Sequence, residues 1–420
     1  MAISDVVDAS EIGASYISEE TVTFGTAGTE RRMHPVNKTA KMVFTQTEIE
    51  TARLRARPWD ASDTERGFKS ATGSFEYYLQ PAPTVLNAGA TADTDANAPL
   101  RVLLRCLMGG ESVAAGSDVV ASPSPTEGGA SVTNTQGDRF PEGQIVLLTD
   151  PTAGLVPARI LTRANDALTW WPNLSAAPAT GADIVNSFTW YPTRTNTRSL
   201  SMAIANGQDA NIQRRATGGT GTFKLMFPRD DCAKISFELA FASWTGPADL
   251  SLAITHAADP MADPIACRDA VLILQPIATT TRDNVAIDSI EFTLNLGLKH
   301  KETLTGGVEG RRGVVRSEKV SDAFCEFDVV TPYDSTWVTR WSEQTKLSGI
   351  FYVPVDTGTG RRVIGADLPC VVLVGKPDEI EGSDGLTKHK LHFRCLLDTS
   401  TSGTLDNEQL AQAPFRLFAA

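Results

Sequence analysis

Apolar residues along this chain recur mostly with a period of two. Ile290, Phe292, Leu294 and Leu296 alternate with Ser289, Glu291, Thr293 and Asn295, the signature of a half-buried strand. Ile235, Phe237, Leu239 and Phe241 do the same, with Lys234, Ser236 and Glu238 on the other face. Further on, His389, Leu391, Phe393, Cys395 and Leu397 alternate with Lys388, Lys390, His392 and Arg394. Val285 and Ile287 are out of phase with Ile290, which predicts a bulge near Asp288. Helical spacing occurs twice. Leu100, Leu103, Leu104 and Leu107 form one stripe, with Pro99 in the first turn and Gly109 at the end. Trp337 and Trp341 start a second, predicted over Trp337–Leu347 and closed by Gly349.

These elements fall into a repeat. The first copy runs through Val43–Leu54, Arg66-Gly67, Phe75-Glu76-Tyr77 and Leu100–Met108. The second runs through Ser289–Leu298, Arg312-Gly313, Cys325-Glu326-Phe327 and Trp337–Leu347. Asp231–Leu239 then lies against Asp384–Phe393 as a third shared element. A β-rich unit written twice predicts two similar domains and a periodic object. Between the first helix and Arg198 lies a stretch the second copy lacks. Its start, 111–130, has a linker composition, and four or five short apolar runs follow to Val185, predicting a small inserted β-barrel. The expected organisation is an N-terminal arm (1–20), a first domain (21–110 and 197–262) interrupted by the barrel (111–196), a second domain (263–398) and a C-terminal arm (399–420).

Composition narrows the classes. At 420 residues, 41% hydrophobic and 21% charged, the chain is globular and too long for one ordinary core. No run approaches the ~18 apolar residues of a membrane helix, and the start shows no secretory leader, so folding in a cytoplasm is expected. A net charge of -12 argues against sequence-independent nucleic-acid binding. The six cysteines form no C-x-x-C pair and the five histidines are scattered, so reduced thiols and no metal site are expected.

Catalytic patterns fare poorly. Asp356-Thr357-Gly358 follows an apolar strand as in aspartic proteases, but no second copy supplies the partner carboxylate, and a hairpin turn is expected. Gly218-Gly219-Thr220-Gly221 lacks the Lys-Ser/Thr of a phosphate loop and also reads as a turn. His389 and His392 fall on opposite strand faces. No enzyme and no cofactor is expected. Glu76 and Glu326 occupy matching positions, with Asp328 on the same face, so they form either an acidic strip or a solvated outer face. Arg66-Gly67 and Arg312-Gly313 read as corners, with a subunit-bridging role for the arginines as the alternative.

The chain resembles the major tail tube proteins of long-tailed (siphovirus-type) bacteriophages, in particular those with two tube domains per polypeptide. The resemblance rests on Val43–Glu48, Arg66-Gly67 through Glu76, the helix ending at Met108-Gly109-Gly110, Lys234–Leu239, Ile287–Leu296, Gly310–Gly313 and Leu386–Phe393. It implies a mainly β fold of two tandem tube-like β-sandwich domains, each with a flanking short helix. It implies a structural virion protein that polymerises into stacked rings, three chains giving pseudo-sixfold symmetry, around a channel that delivers DNA. Glu76, Glu326 and Asp328 are the candidates for its acidic wall. Implied partners are further copies of itself, the tape measure, terminator and distal tail proteins, and DNA in transit without specific binding; no membrane is involved. The alternatives are another ring-forming tail component, such as a distal tail or adaptor protein, and a virion-surface carbohydrate binder using Trp170, Trp171, Trp337 or Trp341.

Overall fold

A computed structural model describes residues 12–20, 24–27, 31–33, 41–51, 63–79, 98–113, 117–133, 136–193, 198–206, 213–248, 250, 264–302, 311–316, 324–356, 361–382, 385–398 and 408–419. The protein is mainly β. A large antiparallel network of 19 strands accompanies a closed six-stranded barrel and a separate two-stranded hairpin, and the helices are few and short.

The chain opens with β1 (Ile12–Glu20), β2 (Arg31–Met33), β3 (Lys41–Thr51), β4 (Asp63–Tyr78) and α1 (Ala98–Met108). β5 (Gly109–Val113) leads into β6 (Ser117–Thr126), β7 (Gly129–Val132), β8 (Ile145–Asp150), β9 (Gly154–Ala164), β10 (Ala167–Trp171) and β11 (Asp183–Asn186); β12 (Phe188–Pro192) leads back. Next come β13 (Ser199–Asn206), β14 (Gln213–Pro228), β15 (Lys234–Phe241) and β16 (Ser243–Ala248). The second half holds β17 (Val271–Pro276), β18 (Asn284–Val285), β19 (Ser289–Leu294), β20 (Leu298–Glu302), β21 (Arg311–Arg316), β22 (Cys325–Pro332) and α2 (Thr336–Ser342). It ends with β23 (Leu347–Asp356), β24 (Arg361–Leu373), β25 (Asp378–Glu381), β26 (Thr387–Cys395), α3 (Glu408–Ala411) and β27 (Arg416–Ala419).

The order of ladders recurs. β1 pairs with β2 and β13, β13 with β14, β14 with β15 and β16, β15 with β4, and β4 with β3. In the second half β17 pairs with β18 and β23, β23 with β24, β24 with β26 and β27, β26 with β22, and β22 with β19. One further ladder, Lys224–Pro228 of β14 against Ser289–Thr293 of β19, fuses the halves into a continuous sheet. Alternation puts Phe75, Phe223, Phe237, Phe292, Phe327 and Phe393 on its inner face, all buried in one core. Phe292 sits at the seam, its ring 5.4 Å from Phe327, 5.8 Å from Phe351 and 5.7 Å from Phe415. Truncating such a side chain to alanine removes about 3–5 kcal/mol.

Local expectations meet mixed outcomes. α1 forms where the leucine stripe predicts, and Gly109 (φ +91°) ends it. α2 is shorter than Trp337–Leu347: Gln344 takes a left-handed conformation (φ 52°), and Leu347 already starts β23. Gly349 is therefore no cap. It lies in β23 packed on β17, where a Cβ would sit 2.9 Å from Leu274 and 3.0 Å from the Ile273 carbonyl. The phase change near Asp288 appears as a break between β18 and β19. The Gly218–Gly221 run is no turn either; it lies within β14, whose first part pairs with β13 and β16 and whose second part pairs with β15 and β19. A Cβ on Gly221 would stand 2.0 Å from the Glu238 carbonyl of β15, so glycine permits this close approach of the two backbones. Thr357-Gly358 lies outside the described residues.

The described residues of 111–130 form mostly strand rather than a linker, because β5 pairs with β12 and β6 and β7 belong to the barrel. The barrel closes in the order β10-β7-β6-β11-β8-β9 around Val120, Val146, Leu148, Ile160, Trp170 and Ile184. Its outer residues Ile145, Leu147 and Trp171 pack against Ile273, Ile350, Tyr352, Val363 and Phe418 of the second half. Neither described terminus extends as an arm: Ile12–Glu20 is β1, and Arg416–Ala419 pairs as β27 with both β24 and β12.

Candidate functional site

The outer face of the continuous sheet carries the candidate acids. Successive ladders set Glu76 opposite Ser236, Ser236 opposite Lys224, Lys224 opposite Thr293, Thr293 opposite Glu326, and Glu326 opposite Arg394. At the ~4.8 Å spacing of strands, Glu76 and Glu326 stand roughly 19 Å apart in one transverse row. The neighbouring row runs from Tyr78 through Lys234, Met226, Glu291 and Asp328 to His392. All three candidates, Glu76, Glu326 and Asp328, are thus half-buried residues of one polar face.

That face is a mosaic of both signs rather than an acidic strip. Arg394 donates to Glu326 at 3.0 Å, Lys390 lies 3.1 Å and His392 Nδ1 2.6 Å from Asp328, and Lys224 lies 2.6 Å from Glu291. Burial alone raises the Asp328 carboxyl, but hydrogen bonds from His392 and Lys390 outweigh it and hold the pKa below the ordinary value. Where the sequence alternation turned Lys388 outward, the structure buries it against Asp288; His389 is fully buried and His392 half-exposed, on opposite faces as expected.

The two Arg-Gly pairs stand at bulges, not corners. In the β3–β4 ladder Gln46 faces Lys69 and Glu48 faces Arg66, so Thr47 spans Gly67 and Phe68. In the β20–β21 ladder His300 faces Val314 and Glu302 faces Arg311, so Lys301 spans Arg312 and Gly313. An extra residue on one strand bends a hairpin and sharpens its twist, which is what these two positions share.

The ends of the sheet differ in charge. β3 is hydrogen-bonded to β4 and exposes Lys41 and Val43; β25 is hydrogen-bonded to β26 and exposes Asp378, Glu379 and Glu381. A groove of about 630 Å³ opens on the polar face where β14 and β19 diverge, lined by Lys41, Gly73, Gly221, Glu238, Gly297 and Lys299 among others.

A second charge cluster, which sequence reasoning missed, lies between the barrel and the second half. Asp367 accepts from Arg159 of the barrel and from Arg416 of β27, both at 2.6 Å, and Arg416 also reaches Asp398 at 2.9 Å. All four side chains are 0–1% exposed. Arg416 further donates to the carbonyls of Leu410 and Ala411. The available signal was an isolated charge within an apolar run, as in Phe415-Arg416-Leu417-Phe418.

Among the described residues, no group of His, Cys, Asp or Glu is placed to hold a metal ion, and no helix is long and apolar enough to cross a membrane. Trp170, Trp171 and Trp337 are buried, so none offers an open ring to a sugar. Compared with known proteins, the chain matches no family model and no curated protein.

Proposed function

We propose that this chain is a structural subunit that assembles edge to edge into rings, as a major tail tube protein of a long-tailed phage. The carrying observation is the β14–β19 junction. Two halves with the same ladder order are already joined side by side, and the strands at the outer ends, β3 and β25, stand where the next unit would add. In the second half β25 follows β24 and borders β26, as the last part of β14 borders β15; β3 corresponds to β19. Repeating the junction between chains generates a head-to-tail series, and a closed ring leaves no edge. On this reading the halves are two tube-like domains, three chains make a pseudo-sixfold ring, and stacked rings form the virion's DNA conduit. The barrel, inserted within the first domain's sequence, is a decoration packed on the second domain.

The polar face suits passage of a polyanion. Arg394, Lys390 and Lys224 are each held by a carboxylate of the same sheet, so a phosphate must displace an existing partner to bind. Counterion release by free lysines and arginines, which drives nonspecific DNA binding, is largely removed. No chemistry of the chain's own is required.

Negative-stain imaging of purified protein and of virions tests this reading. Hollow filaments with ring striations are expected; a protein that stays monomeric at every concentration and is absent from virions overturns it. A single closed ring that never stacks assigns the chain to an adaptor. Glu76→Lys with Glu326→Lys is expected to permit assembly while slowing DNA passage; normal infectivity from mutant tubes places the face away from the channel.

A further inference from the structure

The long hairpin of the second half shows how one unit grips its neighbour. β20–β21 lies across β14 of the first half: His300 Nε2 is 2.6 Å from the Gly218 carbonyl, and Arg311 donates to the Ala242 carbonyl just past β15 at 2.7 Å. Arg316 donates to Leu296 at 2.7 Å and to Met108, the last residue of α1, at 3.1 Å. Val314, directly after Arg312-Gly313, is 5% exposed.

The first half owns the matching hairpin. β3–β4 also carries a bulge, at Gly67-Phe68 where β20–β21 has it at Arg312-Gly313, and in sequence Phe68 directly follows Arg66-Gly67 as Val314 follows Arg312-Gly313. Phe68, however, is 60% exposed. Beyond β26, the strand that pairs with β22 as β15 pairs with β4, Leu397 is 63% exposed. Two large apolar residues are thus exposed at corresponding ends of the junction that the molecule satisfies internally. The flanking charges agree, with Lys41 on the β3 edge and Asp378, Glu379 and Glu381 on the β25 edge.

We infer that the β3–β4 hairpin is an intermolecular clasp: Phe68 of one copy packs beside Leu397 of the next, as the β20–β21 hairpin packs on the first half within one chain. The occupant is a second copy of this chain, and the inference rests on the edge-to-edge reading above. Its strength comes from continuity with the internal junction, whose ladder and clasp occur together. Burying two such side chains supplies the desolvated apolar centre that dominates interface stability.

The test uses the full-length chain. Phe68→Asp and Leu397→Asp are each expected to raise the concentration needed for assembly by about tenfold or more, read by sedimentation and negative stain, with an unchanged circular-dichroism melt. A second variant, Phe68→Cys with Leu397→Cys, is oxidised with diamide, and wild type is the control for native thiols. Crosslinked multimers on a non-reducing gel, absent from wild type, support the clasp. Wild-type assembly with equal assembly of Phe68→Asp, or assembled double-cysteine protein that forms no intermolecular bond, overturns it. Failure of the wild type to assemble at all instead overturns the edge-to-edge reading.

Discussion

Charge is used in two opposite ways in this molecule. On the open face, Glu326, Asp328, Lys390, His392 and Arg394 form an exposed ladder whose members are each about 30–47% accessible. Between the barrel and the second half, Arg159, Asp367, Asp398 and Arg416 form a closed knot with no solvent access beyond 1%. Exposed pairs contribute about 0–1 kcal/mol and are screened by salt. Buried ones have already lost their hydration, so each member depends on the others. The ladder therefore tunes a surface, whereas the knot fixes where the barrel and the last strand sit.

The largest effect is expected from Asp367→Ala, which strands two arginines in the interior. A loss of about 3–5 kcal/mol is expected in denaturant melts, with earlier proteolysis of the segment after 407. Replacing the knot as a whole sharpens the contrast. Arg159→Met, Asp367→Leu, Asp398→Leu and Arg416→Met together should destabilise less than Asp367→Ala alone, since no unpaired charge remains; a larger loss would mean the ions themselves supply the stability. On the ladder, Arg394→Ala should cost under about 1 kcal/mol, and the cost should shrink in high salt. The smallest effect is the pH response of Asp328. Its folded-state pKa is depressed, so its contribution is fully present above the ordinary carboxylate value and fades as pH falls through the lower folded value. A pH titration of the Asp328→Asn melt against wild type should converge at acid pH.

The sequence was most readable where one rule acted alone. Strict alternation located β15, β19 and β26, and the leucine stripe with its terminal glycine located α1, because one buried face suffices to set a period of two or 3.6. It failed where tertiary contacts overrode local signals. Ser117–Thr126 has a linker composition but is stitched into a closed barrel by β7 and β11. Gly218–Gly221 resembles a turn, yet Gly219 and Gly221 serve close contact with the neighbouring strands β13 and β15. The three acids were placed on one face correctly, but their countercharges come from β26, far along the chain, and pairing across strands is invisible without register. Lys388 shows the same limit, since alternation put it outside and Asp288 draws it in.

The Arg316 contact has a temporal consequence. The guanidinium reaches the Met108 carbonyl, which also accepts from the Thr193 N–H, across 208 positions of sequence, so α1 emerges from the ribosome long before the later of these two donors is made. Closing so distant a loop is entropically expensive and slow. Nascent first halves should therefore persist as incompletely locked intermediates until the later hairpin is translated, which delays the fully locked fold until most of the polypeptide exists.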